Sequence, residues 1–181
     1  MILKKLFILY FSLFTNILVL QSQVLKMVNI DTTKRNIPSF ELEDINFKKI
    51  KQTDLIGKVV VLNFWGISCP SCIEEIPSLN RVVKKIKSEN VVFIAICPSN
   101  QRGYKIDKYE EVRKFLKTKE FLYRICPTED FGSLGAKFNV KYVPTHFIID
   151  KYGYIIYKYV GEISENDFIN TINKALRKGG L

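Results

Sequence analysis

The first half of the chain alternates apolar runs with segments of helical spacing. Val59 to Phe64 is an almost continuous apolar run, which predicts a strand buried on both faces. From Ser71 onward, apolar residues recur every three or four positions and predict an amphipathic helix. They are Ile73, Ile76, Leu79, Val82, Val83 and Ile86. Val91 to Cys97 predicts a second buried strand, and Asp107 with Glu110 forms a capping box that opens another helix.

The second half closes with a hairpin and a terminal helix. Its predicted elements are a strand at Phe121 to Cys126, a short helix at Ser133 to Phe138, strands at Thr145 to Asp150 and Tyr154 to Val160, and a helix capped by Ser164 and Asp167 and ended by Gly179 and Gly180. Strands alternating with helices, followed by a hairpin, predict an α/β fold: a mixed sheet with helices on both faces.

The N-terminus has the layout of a signal peptide. Lys4 and Lys5 precede an apolar run from Leu6 to Leu20. Its fifteen residues would reach about 22 Å as a helix, short of the roughly 30 Å hydrocarbon core. Residues 1–23 are therefore predicted to be a signal peptide or an N-terminal anchor, with residues 5–20 as the tether in the second case. Either form is exported, so we expect a periplasmic or cell-envelope location.

Composition fits one domain, which we place at residues 24–181. The chain has 181 residues, of which 47% are hydrophobic and 25% charged, as in a globular protein with a packed core. The net charge of +10 is spread along the chain, and the aromatic residues fall at core spacings. A nucleic-acid partner is not expected, because nucleic-acid binding requires charge gathered on one surface.

Cys69 and Cys72 stand where the first buried strand gives way to a helix. Unpaired N–H groups and the positive end of the helix dipole favour a thiolate at Cys69, which is the form that attacks disulfides. We therefore expect Cys69 to be the nucleophile and Cys72 to resolve the mixed disulfide, so that the pair is a redox-active disulfide. The alternatives are a structural disulfide and half of a zinc site; a metal is not expected, because the chain has one histidine and no second CxxC.

The segments around this pair resemble the TlpA/ResA-like branch of the thioredoxin superfamily, whose domain is of the redoxin or AhpC-TSA type. The matching segments are Val60 to Trp65, the CxxC with Glu75 and Pro77, Val143 to Thr145, and Phe147 to Asp150. The resemblance implies a thioredoxin-like fold and a cis Pro144 beside the cysteines. It also implies substrate contacts at Trp65, Val143 and Pro144, and a catalytic Glu75 that relays the proton of Cys72. A solvated surface glutamate is the alternative for Glu75.

The same resemblance implies the function and the partners. The activity would be thiol–disulfide exchange without a cofactor, more in the direction of reduction than of oxidation. Clients would be exported proteins with disulfides, such as apocytochrome c, and a membrane thiol carrier would supply electrons. Two departures leave the direction open: Pro70 comes first in the dipeptide between the cysteines, and Ser68 replaces the tryptophan expected before Cys69.

Two further cysteines and one histidine carry separate expectations. Cys97 and Cys126 each end a predicted strand and each precede a proline, so they are either a second disulfide or two separate buried thiols.

His146 follows Pro144 and Thr145 on a buried strand. A hydrogen-bonded core histidine is expected there, with proton transfer or metal binding as the alternative.

Two other functions compete with disulfide exchange. A thiol peroxidase of the peroxiredoxin type is the first, although the Pro-x-x-x-Thr/Ser-x-x-Cys pattern of that class fits neither Cys69 nor Cys72. The second is a non-enzymatic module that binds copper through the two cysteines and His146, or that serves only as an interaction domain. Copper carriers of this fold space their cysteines by three residues, unlike the two found here.

Overall fold

A mixed β-sheet forms the centre of the protein. The structure is a computed structural model that describes residues 35–99 and 109–177. In chain order its elements are β1 (Arg35–Asn36), β2 (Glu41–Glu43), β3 (Lys49–Lys51), β4 (Val59–Phe64), α1 (Pro70–Ile86), β5 (Val91–Pro98), α2 (Glu110–Leu116), β6 (Arg124–Thr128), α3 (Phe131–Lys137), β7 (Thr145–Ile149), β8 (Tyr154–Val160) and α4 (Glu165–Arg177).

The strand order of the sheet is β1, β8, β7, β4, β5, β6. Strand β4 runs parallel to β5 and antiparallel to β7, and β5 runs parallel to β6. The predicted mixed sheet is thereby confirmed. The first cysteine follows the C-terminal end of β4, which is also the edge at which the parallel neighbours β5 and β6 end.

The alternation of side chains along each strand divides the core into two faces. On one face, Phe64 packs against Phe131 and Phe138 of the α3 region and against Phe147 of β7. On the other, Val61 and Ile148 pack against residues of α1 and α4, among them Leu79, Val82, Phe168 and Ile172. Helices therefore lie on both faces of the sheet, as predicted.

Three predicted boundaries are corrected. Helix α2 begins at Glu110 with Tyr109 at its N-cap, so Glu110 is not the third residue of a capping box; Asp107 lies outside the described residues. Helix α3 begins at Phe131, two residues before the predicted start. Strand β6 begins at Arg124, because the backbone N–H of Leu122 donates to the side-chain oxygen of Asn80 at 3.0 Å rather than to the sheet.

Helix α4 confirms its predicted cap. The Asp167 N–H donates to Ser164 Oγ at 3.2 Å, and the Ser164 hydroxyl donates to Asp167 Oδ2 at 2.6 Å. The predicted glycine stop, like the N-terminal leader, lies outside the described residues. Among the helices at residues 35–99 and 109–177, none is long and apolar enough to cross a membrane.

Candidate active site

The two cysteines of the CxxC form a disulfide at the start of α1. Cys69 is the N-cap residue, and the Cα atoms of the pair are 5.3 Å apart. Pro70 occupies the first position of the helix, where a residue without an N–H loses no hydrogen bond and where the fixed φ of proline suits the helix. Proline as the first of the two residues between the cysteines therefore favours the start of the helix at this point.

The two sulfurs differ in access and in hydrogen bonding. Cys69 is half-buried, whereas the Cys72 side chain is only 2% exposed. The Cys72 N–H donates to Cys69 Sγ at 3.2 Å, and the Ser71 hydroxyl lies 3.5 Å from the same sulfur. These donors and the helix N-terminus would stabilise a thiolate at Cys69 after reduction. Cys69 is thus partly open to solvent, while Cys72 faces the protein interior.

The loop before β7 brings a cis proline to the cysteines. The Val143–Pro144 peptide bond is cis, as the resemblance implied. The carbonyl oxygen of Val143 lies 3.8 Å from Cys69 Sγ, and the Thr145 hydroxyl donates to the Tyr142 carbonyl at 2.6 Å. The Tyr142 side chain is 71% exposed. The backbone of Val143 thus borders the Cys69 sulfur, beside an aromatic side chain open to solvent.

Glu75 and His146 meet in the interior, on the α1 and α4 face of the sheet. Their side chains are 3% and 0% exposed, and Glu75 Oε2 lies 3.0 Å from His146 Nε2. The two atoms are close but poorly aligned for a hydrogen bond. The backbone N–H of Ile163 donates to Glu75 Oε1 at 3.4 Å. Glu75 is therefore not a solvated surface residue. His146 is buried, as expected, but the hydrogen bond expected for its ring is not formed with any described residue.

Trp65 requires a correction. We expected it to contact the substrate, but its side chain is 1% exposed and packs between Phe115 and Phe121. Trp65 directly follows β4, whose six residues are all buried. The sequence pattern alone did not distinguish a buried from an exposed position at the end of this strand. Trp65 is therefore a core residue in the same apolar cluster as Cys72, and it presents almost no surface to a client.

The second disulfide is also corrected, because Cys97 and Cys126 are both free and buried. Cys126 is the register partner of Ile96, and Cys97 is the partner of Pro127. Adjacent residues on a strand point to opposite faces, so the two thiols lie on opposite sides of the sheet. Cys97 accordingly packs with Trp65 and Cys72, while Cys126 packs in the cluster of Phe64.

We predict that Cys97 and Cys126 resist alkylation in the folded protein. Burial raises the pKa of Cys126 to about 12, with the charge of Asp44 adding to the effect, and burial also raises the pKa of Cys97. Both stay protonated at pH 8, and the thiol form is unreactive. Mass spectrometry after iodoacetamide treatment should find no adduct on the folded oxidised protein and two after unfolding. A mass that requires a second disulfide would contradict this arrangement.

Sequence reasoning missed the contact between Glu75 and His146. The available signal was two polar residues at positions that the apolar pattern marks as buried: one on the inner side of α1, the other inside a buried strand. A buried ionisable side chain requires a partner. On this ground, Glu75 and His146 could have been predicted to contact each other.

A mixed sheet with a CxxC at a helix N-terminus and a cis proline against its first sulfur defines a thioredoxin-fold protein with a two-cysteine redox centre. The sequence model of the AhpC/TSA family matches residues 33–158. The chain belongs to the AhpC/TSA family.

Individual relatives agree with this assignment. The chain is 33% identical over 145 residues to the thiol-disulfide oxidoreductase ResA of Bacillus subtilis, covering 78% of this chain and 76% of the relative. It is 31% identical over 141 residues to a ResA of Bacillus cereus, covering 77% and 76%. A thiol:disulfide interchange protein of the thioredoxin family from Chlorobium tepidum TLS has a similar crystal structure. Its TM-score is 0.67 at 28% identity, covering 81% of this chain and 99% of that one.

These relatives confirm the resemblance to TlpA/ResA-like proteins, and the structural match confirms the thioredoxin-like fold. They also place the chain among thiol–disulfide oxidoreductases, the enzyme class that the cysteine pair indicated.

Proposed function

We propose that this protein is an exported thiol–disulfide oxidoreductase that reduces disulfides in client proteins. The observation that carries the proposal is the asymmetry of the cysteine pair: Cys69 caps α1, receives the Cys72 N–H and is accessible, while Cys72 is buried behind it. One accessible nucleophile and one shielded resolving thiol are what a two-step exchange requires.

In the first step, the Cys69 thiolate attacks one sulfur of a client disulfide. A bond forms between Cys69 and that sulfur, the client S–S bond breaks, and the second client sulfur leaves as a thiolate that takes a proton from water. The backbone of Val143, next to Pro144 and 3.8 Å from Cys69 Sγ, borders the position that an extended client segment would occupy.

In the second step, Cys72 loses its proton and attacks Cys69. The Cys69–Cys72 disulfide forms, the bond between Cys69 and the client breaks, and the remaining client sulfur leaves as a thiolate that is then protonated. The client gains two electrons and the cysteine pair loses two. Glu75 follows Cys72 by three helical positions and is buried with it, so its carboxylate accepts the proton from Cys72.

The carboxylate of Glu75 favours reduction as the direction of flow, because it offsets the stabilisation of the Cys69 thiolate by the helix N-terminus and the Cys72 N–H. A disulfide becomes a strong oxidant when its reduced form, with a thiolate at the first cysteine, is stabilised. The buried carboxylate of Glu75, in its ionised form, opposes further negative charge near the cysteine pair. It thereby destabilises the thiolate and lowers the reduction potential, which makes the dithiol a better reductant.

Export and the partners complete the proposal. Residues 1–23 would direct the chain out of the cytoplasm, with residues 5–20 as a tether if the leader is retained, to the periplasm or cell envelope. Clients would be exported thiol proteins, such as apocytochrome c, and a membrane thiol carrier would re-reduce the pair. Fractionation of cells that express the full chain should find it outside the cytoplasm; a cytoplasmic pool alone would contradict export.

Three assays on the wild type and on Cys69→Ser separate this function from its competitors. We expect the reduced wild type to reduce insulin disulfides in stoichiometric amounts and to turn over when dithiothreitol is supplied. Cys69→Ser should show only the background rate of the reagent. Peroxide consumption and copper retention are measured in parallel on the same preparations. Wild-type peroxide turnover or copper retention without disulfide exchange would overturn the proposal.

A further inference from the structure

His146 is the only histidine in the chain, and it lies two residues after Pro144 in the interior. Its ring is fully buried in β7, where it pairs in register with Asn63 of β4. Both side chains therefore point to the α1 and α4 face of the sheet, the face on which Glu75 and Cys72 also lie. A histidine therefore lies in the apolar layer on the face of the sheet that is covered by α1, the helix that carries the redox pair.

The ring of His146 meets a carboxylate and an aromatic side chain. Nε2 lies 3.0 Å from Glu75 Oε2, and the edge of the ring meets Phe168 of α4 with centroids 5.3 Å apart. Neither ring nitrogen has a well-aligned hydrogen bond among the described residues, and Asn63 Oδ1 is also unsatisfied there. Burial of such polar atoms is costly, so a fold that keeps them gains something other than stability.

We propose that His146 is a positioning residue for proton transfer at Cys72, acting through Glu75. The inference deepens the proposed function and rests on it. When Cys72 resolves the mixed disulfide, its S–H bond breaks, the electron pair stays on sulfur and the proton moves to the Glu75 carboxylate. His146 Nε2 orients that carboxylate, and the pair holds the proton as a carboxylic acid beside imidazole or as a carboxylate beside imidazolium.

The other groups that face this pair do not compete for the proton. Tyr123, in the segment before β6, has its pKa raised by burial and then by the charge of Glu75. Tyr159 of β8 is the register partner of His146; its hydroxyl lies 2.9 Å from Thr171 Oγ1, and burial raises its pKa. From the chain preceding α4, the backbone N–H of Ile163 reaches Glu75. Both tyrosines stay neutral, so Cys72, Glu75 and His146 are the exchanging groups.

The first test uses the wild type alone, because a chain without an added tag gives a single set of imidazole signals. Nitrogen-15 and proton NMR of His146 is recorded against pH for the oxidised and the reduced protein. We expect the curves of His146 chemical shift against pH to differ between the oxidised and the reduced wild type. In Glu75→Gln, the curves of the two redox forms should coincide. Coincident curves in the wild type would overturn the proposal without any question about the folding of a variant.

The second test measures the resolving step with a chromogenic disulfide, 5,5′-dithiobis(2-nitrobenzoate). The reduced protein releases one thiolate when Cys69 attacks and a second when Cys72 resolves, and only the first release depends on reagent concentration. We expect Glu75→Gln to slow the second release by about 100-fold, a typical effect of losing a general base. His146→Gln, which keeps a polar side chain of similar reach, should slow it by about 10-fold.

The double variant separates positioning from a structural effect. Because His146 acts through Glu75, we expect Glu75→Gln/His146→Gln to be no slower than Glu75→Gln alone. Ile148→Val is the matched control: it trims a fully buried residue on the same face of β7 and should leave the second release unchanged. Slowing factors that multiply in the double variant, or an unaffected His146→Gln, would overturn the inference while leaving the proposed function standing. A wild type that releases no first thiolate would overturn both.

Discussion

Cys72→Ser is expected to accumulate a stable mixed disulfide on Cys69, and Cys69→Ser is expected to form none. When reduced protein meets a client disulfide, we expect the accessible Cys69 to attack in both the wild type and Cys72→Ser. Only the wild type then has a second thiol next to Cys69 to release the client, because the thiols of Cys97 and Cys126 are buried elsewhere in the core. Cys69→Ser retains Cys72, but that residue is only 2% exposed, so we expect no attack by it on a client disulfide. Turnover in the insulin assay should fall to background in both variants.

Non-reducing electrophoresis followed by peptide mass spectrometry checks this outcome. The adduct of Cys72→Ser should map to the peptide that contains Cys69. Cys126→Ala is a matched control, because it removes a thiol on the opposite face of the sheet and should turn over as the wild type does. A stable adduct on Cys72 in Cys69→Ser, or turnover by either active-site variant, would reverse the assigned roles.

Phe64→Ala is expected to lower the free energy of unfolding by about 3–5 kcal/mol. The Phe64 side chain is fully buried and contacts the rings of Phe131, Phe138 and Phe147. Its removal leaves a cavity between β4 and α3 that rigid aromatic neighbours cannot fill. Denaturant unfolding, followed by circular dichroism on the oxidised protein, measures the loss.

Phe47→Ala is the matched control for that measurement. Phe47 is 63% exposed, and its ring lies under the guanidinium of Arg113 at 4.8 Å. Its loss should cost about 1 kcal/mol or less, in line with exposed cation–π contacts. Equal losses in the two variants would show that the aromatic cluster of Phe64 is not the main packing centre on its face of the sheet.

The elements of the fold were predictable because their patterns are local. The run Val59 to Phe64 and the spacing along α1 depend only on which residues must be buried, and the structure confirms both. The start of β6 was not predictable, because the N–H of Leu122 donates to the side chain of Asn80, which lies far away in the sequence. A hydrogen bond between residues 42 positions apart cannot be inferred from the local pattern of apolar and polar residues.

The site was predictable in part for the same reason. Spacing alone placed Cys69 and Cys72 at a strand-to-helix junction, and resemblance supplied the cis proline. Whether Cys97 and Cys126 lie on the same face of the sheet could not be predicted from the sequence, because the register of β5 with β6 decides it. A shift of one residue in that register would have brought the two thiols to the same side.

The direction of electron flow is the central functional claim, and the reduction potential of the Cys69–Cys72 couple tests it most directly. The oxidised and reduced fractions are measured at pH 7 in dithiothreitol and glutathione buffers of known potential, with alkylation to separate the forms. A reductase predicts a value near that of thioredoxin, roughly −270 mV. A value near that of DsbA, roughly −120 mV, would contradict the account and identify an oxidant.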